Sequence, residues 1–162
     1  MNTVTASSIL VTGASTGIGK ASVLALLAEG FRVFAAVRNE RAAADLAQAV
    51  PAGADGRLET LELDVTNAEQ IRAAVARITP AVGDAGLWGL FNNAGIAVSG
   101  PLECLPIDDL RLQLEVNVIG QVAVTQAFLP LLRRARGRIL TTGSIAGFFA
   151  APALGAYSIS KH

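Results

Sequence analysis

The sequence predicts a doubly wound α/β domain built on a parallel sheet, and three observations carry that prediction. Short apolar runs alternate with helical stretches along the whole chain. Those runs are nearly continuous in apolar residues, as strands are when both faces of a sheet are covered. The first run also enters a glycine-rich turn, "TGASTGIG", that opens a helix. Strand and helix in alternation imply parallel strands joined by right-handed crossovers, with ligands at the carboxyl ends of the strands.

The elements follow in order. "SILVT", 8–12, is the first strand, and residues 17–29 form a helix that Gly30 stops with a left-handed cap. "RVFAAV", 32–37, is the second strand, and 41–49 an alanine-rich helix closed before Pro51. "RLETLELD", 57–64, is the third strand. Residues 67–78 are helical, with Asn67 as cap and Pro80 just beyond the end. "LWGLFNN", 87–93, is the fourth strand. A long helix over 107–134 has a candidate bend at Pro130, and Arg133, Arg134 and Arg136 form a solvated carboxyl end facing the helix dipole. "RILTTGS", 138–144, is the fifth strand, and a last helix begins near 154.

Composition narrows the function. The 162 residues suit one domain spanning 1–162. Thirteen basic and thirteen acidic residues cancel, which recommends neither nucleic acid nor an anionic membrane as partner. Cys104 is the one cysteine, with no Cys or His cluster around it, which suits a reducing compartment and argues against zinc. The amino terminus lacks a cationic region followed by an apolar stretch, so a cytoplasmic protein is expected. The most apolar window, 116–132, is interrupted by Asn117, Gln121, Thr125, Gln126 and Pro130, and reads as a buried helix rather than a membrane span.

In the glycine turn, Gly13 permits the sharp bend. Gly17 and Gly19 let backbone approach a ligand and let the helix pack close to the sheet, with Ser15, Thr16 and Ile18 filling the turn. Free N–H groups and the positive end of the helix dipole then face a phosphate. The spacing is G-x-x-x-G-x-G, and glycines serving only the turn are the plainer alternative. Val37 and Arg38 end the second strand about 20 residues on, where an acidic residue would hold a ribose 2′-hydroxyl. An arginine pairs instead with a 2′-phosphate, which favours NADP(H) over NAD(H); an exposed strand-end arginine is the alternative. Asp64 and Asn92 end the third and fourth strands and point polar groups at the same crevice, although both also suit turns.

Tyr157 and Lys161 lie four apart on the last helix and share a face. A tyrosine is a poor acid–base group at neutral pH, and a nearby ammonium favours the phenolate. Ser144, at the end of the fifth strand, can hold a carbonyl or alcohol oxygen. Asn117 shares a helix face with Leu110 and Leu114, which places its amide against the sheet, where an ordered water is one candidate partner. Each residue alone has an ordinary structural reading, but together they map to one edge of the sheet.

Together with "LDV" at 63–65, "NNAG" at 92–95, "NVIG" at 117–120, "TTGSIAG" and "YSISK", these motifs resemble the short-chain dehydrogenase/reductase family, with its Rossmann-type fold. "LWGLFNNAG" looks most like the branch of steroid and retinol dehydrogenases. The resemblance implies an oxidoreductase that interconverts a carbonyl and an alcohol by hydride transfer. It implies Tyr157 as general acid/base, Lys161 as its tuner and ribose ligand, Ser144 as the group orienting the substrate oxygen, and Asn117 as holder of a relay water. Asp64 and Val65 would meet the adenine, and Asn92, Asn93, Ala94 and Gly95 the middle of the cofactor. Thr16 stands where some NADP-using members carry a basic residue, so cofactor preference rests on Arg38. Family members continue past the lysine with more helix, two strands and a segment over the substrate, so the resemblance implies a chain truncated after His162 and a sheet incomplete there. A non-catalytic dinucleotide-binding fragment is the alternative. The loop at 95–107, with Gly100, Pro101, Leu102 and Leu105, suggests an apolar small-molecule substrate, and the family's pairing of long helices suggests a homo-oligomer.

Overall fold

The computed structural model describes residues 7–50 and 52–162. Five parallel strands stand in the order β3-β2-β1-β4-β5. They are β1 (Ser8–Val11), β2 (Arg32–Val37), β3 (Leu58–Glu62), β4 (Gly89–Asn92) and β5 (Arg138–Thr141). The helices are α1 (Gly17–Ala28), α2 (Glu40–Ala47), α3 (Ala68–Val82), α4 (Ile107–Leu114), α5 (Gly120–Ala135) and α6 (Gly155–Lys161).

Alternation along the strands builds two cores. Ile9, Val11, Val33 and Ala35 pack with Val23 and Leu27 of α1 and Leu46 of α2. Leu10, Phe34, Ala36 and Leu90 point the other way and meet Ile71 and Ile78 of α3 and Val124 and Phe128 of α5. The central strands are buried on both faces. β5 departs from that expectation: as the edge of the sheet it leaves all four residues exposed, Ile139 and Leu140 among them.

Local chemistry explains most helix ends. Gly30, at φ +89°, closes α1: its N–H reaches the Leu27 carbonyl and the Phe31 N–H reaches that of Leu26. Asn67 Oδ1 caps α3 by accepting from the N–H groups of Glu69 and Gln70. The expected stop before Pro80 is a correction, because Pro80 lies inside α3. Ile78 and Val82, one turn apart, are both buried, and Gly83 at φ +51° ends the helix instead. Burial of that last turn outweighs the backbone bond that proline forfeits. α2 ends at Ala47; the predicted stop at Pro51 lies outside the described residues.

Residues 107–135 form one rod of 29 residues. It is interrupted by a π turn at Glu115–Ile119, while Pro130 is taken up inside α5. By length and composition the rod could cross a membrane, and one third of its most apolar window, 33%, is buried here. The expectation of a buried helix therefore holds for one face only. Gln113, Asn117, Val124 and Phe128 face inward, whereas Leu112, Ile119 and Val122 are exposed. Arg136 closes the rod in the left-handed conformation, φ 50°, and Arg134 Nη1 donates to the Gly83 carbonyl at 2.9 Å.

Candidate functional site

The turn after β1 is stitched to the end of β4. Thr12 Oγ1 accepts from the N–H groups of Asn93 and Ala94, both at 3.0 Å. Asn93 Nδ2 donates to the carbonyls of Thr12 and Gly13, both at 3.1 Å, and its Oδ1 accepts from Thr142 Oγ1 at 3.1 Å. A Cβ on Gly13 would stand 2.8 Å from Ala94 Cα, and one on Gly19 would collide with the Gly13 carbonyl. Both glycines are thus demanded by close packing.

Gly17 differs. It has φ +52°, and a Cβ there would meet nothing within 4 Å. It lines an open cleft of about 420 Å³ at the amino end of α1. Thr16, the N-cap, makes no side-chain cap bond, and the first turn of α1 carries no acidic residue. Free N–H groups and the positive end of the dipole therefore face the cleft.

Arg38 and Asp64 form one rim. Asp64 accepts from Thr66 Oγ1 at 2.6 Å and from the Thr66 N–H at 2.9 Å. The Thr66 hydroxyl is the main cause holding the carboxyl below its ordinary value; partial burial opposes it, and the Thr66 N–H and Arg38 charge assist. Val65 is buried against Gly120, where a Cβ would come within 2.8 Å of Val65 Cγ2.

Tyr157 and Lys161 line the opposite wall. Lys161 Nζ donates to the Thr142 carbonyl at 2.7 Å and lies 5.8 Å from the centre of the Tyr157 ring. The cleft thus gathers Gly13, Ser15, Thr16, Gly17, Ile18, Arg38, Asp64, Val65, Ala94, Gly95, Tyr157 and Lys161 from separate elements.

Four expected site residues sit off that lining. Gly19 is buried beneath the turn. Ser144 caps a 3-10 turn, its Oγ accepting from the Ala146 N–H at 3.1 Å. Asn117 is buried and bonded to protein groups: Oδ1 accepts from Ile96 N–H, and Nδ2 donates to the Ile96 carbonyl and to Ser160 Oγ. The side-chain direction read for Asn92 is corrected: Nδ2 donates to Thr125 Oγ1 at 2.8 Å, away from the cleft. Successive strand residues point to opposite faces, so Asn92 follows Leu90 toward α5 and Asn93 turns to the cleft. Thr12 and Thr142 shape the site without having been singled out in the sequence, and Asn93 lies in the 92–95 stretch expected at the middle of the cofactor. The period of two along β4 was the available signal for Asn93.

A dinucleotide fits this chemistry. The cleft has room where a glycine Cβ would intrude, an unblocked helix amino end for phosphates, and a cation and a carboxylate on its rim.

Known proteins agree with the geometry. A family model described as short chain dehydrogenase matches residues 7–162. The 3-amino-tetrahydro-pyrrolizinone reductase of Xenorhabdus hominickii is 46% identical over 157 residues, covering 97% of this chain and 52% of the relative. Human 17-beta-hydroxysteroid dehydrogenase type 6 is 44% identical over 158 residues, covering 95% and 47%. The likeness to steroid dehydrogenases read from "LWGLFNNAG" therefore stands. The alcohol dehydrogenase of the archaeon Thermococcus sibiricus, solved in complex with 5-hydroxy-NADP, superposes with a TM-score of 0.88 at 27% identity, covering 96% of this chain and 65% of that one. The chain spans about half the length of these curated relatives. Matched over residues 7–162 in sequence and over nearly its whole length in fold, the chain belongs to the short-chain dehydrogenase family.

Proposed function

We propose that the protein is an NADP(H)-dependent oxidoreductase that interconverts a small apolar carbonyl compound and its alcohol. One observation carries the reading: Tyr157 and Lys161 share a single cleft with the glycine turn and Arg38. A proton-transfer group and a dinucleotide cradle are thereby brought together.

NADP(H), when bound, supplies or receives the hydride at the substrate carbon. The residues of this chain do the rest. Tyr157 gives a proton to the carbonyl oxygen in reduction and takes it from the alcohol in oxidation. Lys161, anchored on the Thr142 carbonyl, holds its ammonium 5.8 Å from the centre of the Tyr157 ring. Ser144 Oγ accepts from the Ala146 N–H and so keeps its own proton free for a substrate oxygen. Arg38, exposed at the rim, offers its planar fork to a 2′-phosphate.

The surface that follows Ser144 supports an apolar substrate. Ile145 and Phe148 are 80% and 92% exposed, and Phe149 and Leu102 are exposed as well. Apolar side chains at that exposure suit an apolar reactant. The outer face of the long rod, with Leu112, Ile119 and Val122, supports pairing with a second copy.

The test is direct. Titration with NADPH and NADH, followed by dinucleotide fluorescence, should show tighter binding of NADPH. Consumption of NADPH is then followed against apolar ketones and aldehydes. Failure to bind either dinucleotide would remove the reading.

A further inference from the structure

Gln113 is fully buried on the inward face of the rod, one of three buried polar residues there with Asn117 and Gln121. Its Oε1 accepts from the Val98 N–H at 2.7 Å. Its Nε2 donates to the Ile96 carbonyl at 2.9 Å and to Ser160 Oγ at 3.3 Å. Ser160 Oγ in turn donates to the Tyr157 carbonyl at 2.7 Å. One carboxamide therefore links the segment after β4 to the helix that carries Tyr157 and Lys161.

The spacing explains why an amide works here. Residues four apart on a helix rise about 6 Å. Alternate residues of an extended chain are about 6.6 Å apart. Gln113 and Asn117 therefore match Val98 and Ile96, running in the opposite sense. Two side-chain amides supply the hydrogen bonds that a neighbouring strand would otherwise make. Ile96, Ala97 and Gly95 in that segment line the cleft. A carboxamide offers an acceptor and two donors in one plane, which methionine or leucine of similar volume cannot do.

We propose that Gln113 is a positioning residue: it sets helix α6, and with it Tyr157 and Lys161, against the segment 95–98, whose residues 95–97 line the cleft. The proposal rests on the oxidoreductase reading for its effect on turnover, but its geometric claim does not. Displacing a reacting group by about 1 Å can cost about a hundredfold in rate. Simple core satisfaction would predict lost stability without movement of Tyr157.

Tyr157 is the only tyrosine, so protein grown with fluorotyrosine gives one fluorine resonance that reports its surroundings without substrate. Three variants are compared: Gln113→Met, Ser160→Ala, and Thr79→Val, which removes a half-buried hydroxyl bond to the Val75 carbonyl in α3, remote from the site. Gln113→Met and Ser160→Ala should each shift the resonance. They should lower kcat by about tenfold to a hundredfold while dinucleotide affinity stays within about threefold. Thr79→Val should do neither. If Gln113→Met does not fold, Gln113→Glu, which keeps the acceptor for Val98 and loses the donor to Ile96 and Ser160, takes its place, because Ser160→Ala also breaks the Asn117 bond. An unmoved resonance in the folded variants overturns the proposal, as does an equal shift in Thr79→Val. A shifted resonance in a protein whose wild type reduces no carbonyl would sink the oxidoreductase reading and leave the positioning claim standing.

Discussion

The ammonium nitrogen of Lys161 stands 5.8 Å from the centre of the Tyr157 ring, one helical turn away on α6. Its hydrogen bond to the Thr142 carbonyl fixes the charge at the end of β5. Tyr157→Phe should therefore lower turnover by at least about a hundredfold, the range of general acid–base catalysis. NADPH affinity should change less than about twofold. Lys161→Ala should weaken both. Steady-state rates beside a fluorescence titration check this; retained turnover in Tyr157→Phe would remove it as the proton donor.

Arg38 stands exposed at the rim, close enough to Asp64 to help hold that carboxyl ionised. Arg38→Asp should reduce NADPH affinity by about ten- to a hundredfold, corresponding to ~1.5–3 kcal/mol for a lost charged hydrogen bond. NADH affinity should be level or improved. Equal affinities for NADPH before and after the change would take away the reason for NADP.

Gly17 and Gly19 separate binding from folding. Gly17→Ala adds a methyl group in open cleft space at a positive φ, so dinucleotide affinity should fall while stability drops by about 1 kcal/mol. Gly19→Ala drives a methyl group into the Gly13 carbonyl and the Asn93 amide, and should destabilise by about 1–3 kcal/mol or more. Denaturant melts and binding titrations on both proteins distinguish the two effects.

Asp64 gives the acid limb of stability a definite sign. Its folded value is lowered, first by the Thr66 hydroxyl, so the folded state favours the ionised form. That contribution is fully present well above the ordinary aspartate value of about 3.9 and is lost as pH falls through the lower folded value. Thr66→Val should be less stable than wild type at pH 7, with the gap narrowing as pH drops below about 4. A gap that widens on acidification would contradict the assignment.

Arg136 holds φ 50° at the end of α5, where its N–H reaches the Arg133 carbonyl and the Gly137 N–H reaches that of Leu132. Gly137 is unavailable for the left-handed position, since its own site is crowded by the backbone of Leu87 and Trp88. Arg136→Gly should therefore stabilise by about 0.5–1 kcal/mol, raising Tm by a few degrees. Calorimetry reads the change directly.

Strands and glycine turn were legible because each is written locally. β2 covers the six residues of "RVFAAV", and Gly30 caps where a left-handed residue is needed. Pro80 was misread because the local rule, that proline ends helices, ignores the burial of Ile78 and Val82 across it. Asn92 was misdirected because two adjacent asparagines look alike until the strand's period assigns one to each face. Gln113 was invisible as a functional group: its partners, Val98 and Ser160, are fifteen and forty-seven residues away. Yet Gln113, Asn117 and Gln121, each four apart and all buried, form a polar stripe that the sequence does display.

The stitch between Thr12 and Asn93 spans 81 residues. On a ribosome, the glycine turn emerges early but its locking partner arrives only after three more strands have been made. The cradle for phosphate is thus a late product of folding, completed when the β1–β3 half of the sheet accepts β4. During synthesis, dinucleotide binding would then report that the two halves of the sheet have met. A free cofactor would favour molecules that have finished that step over those that have not.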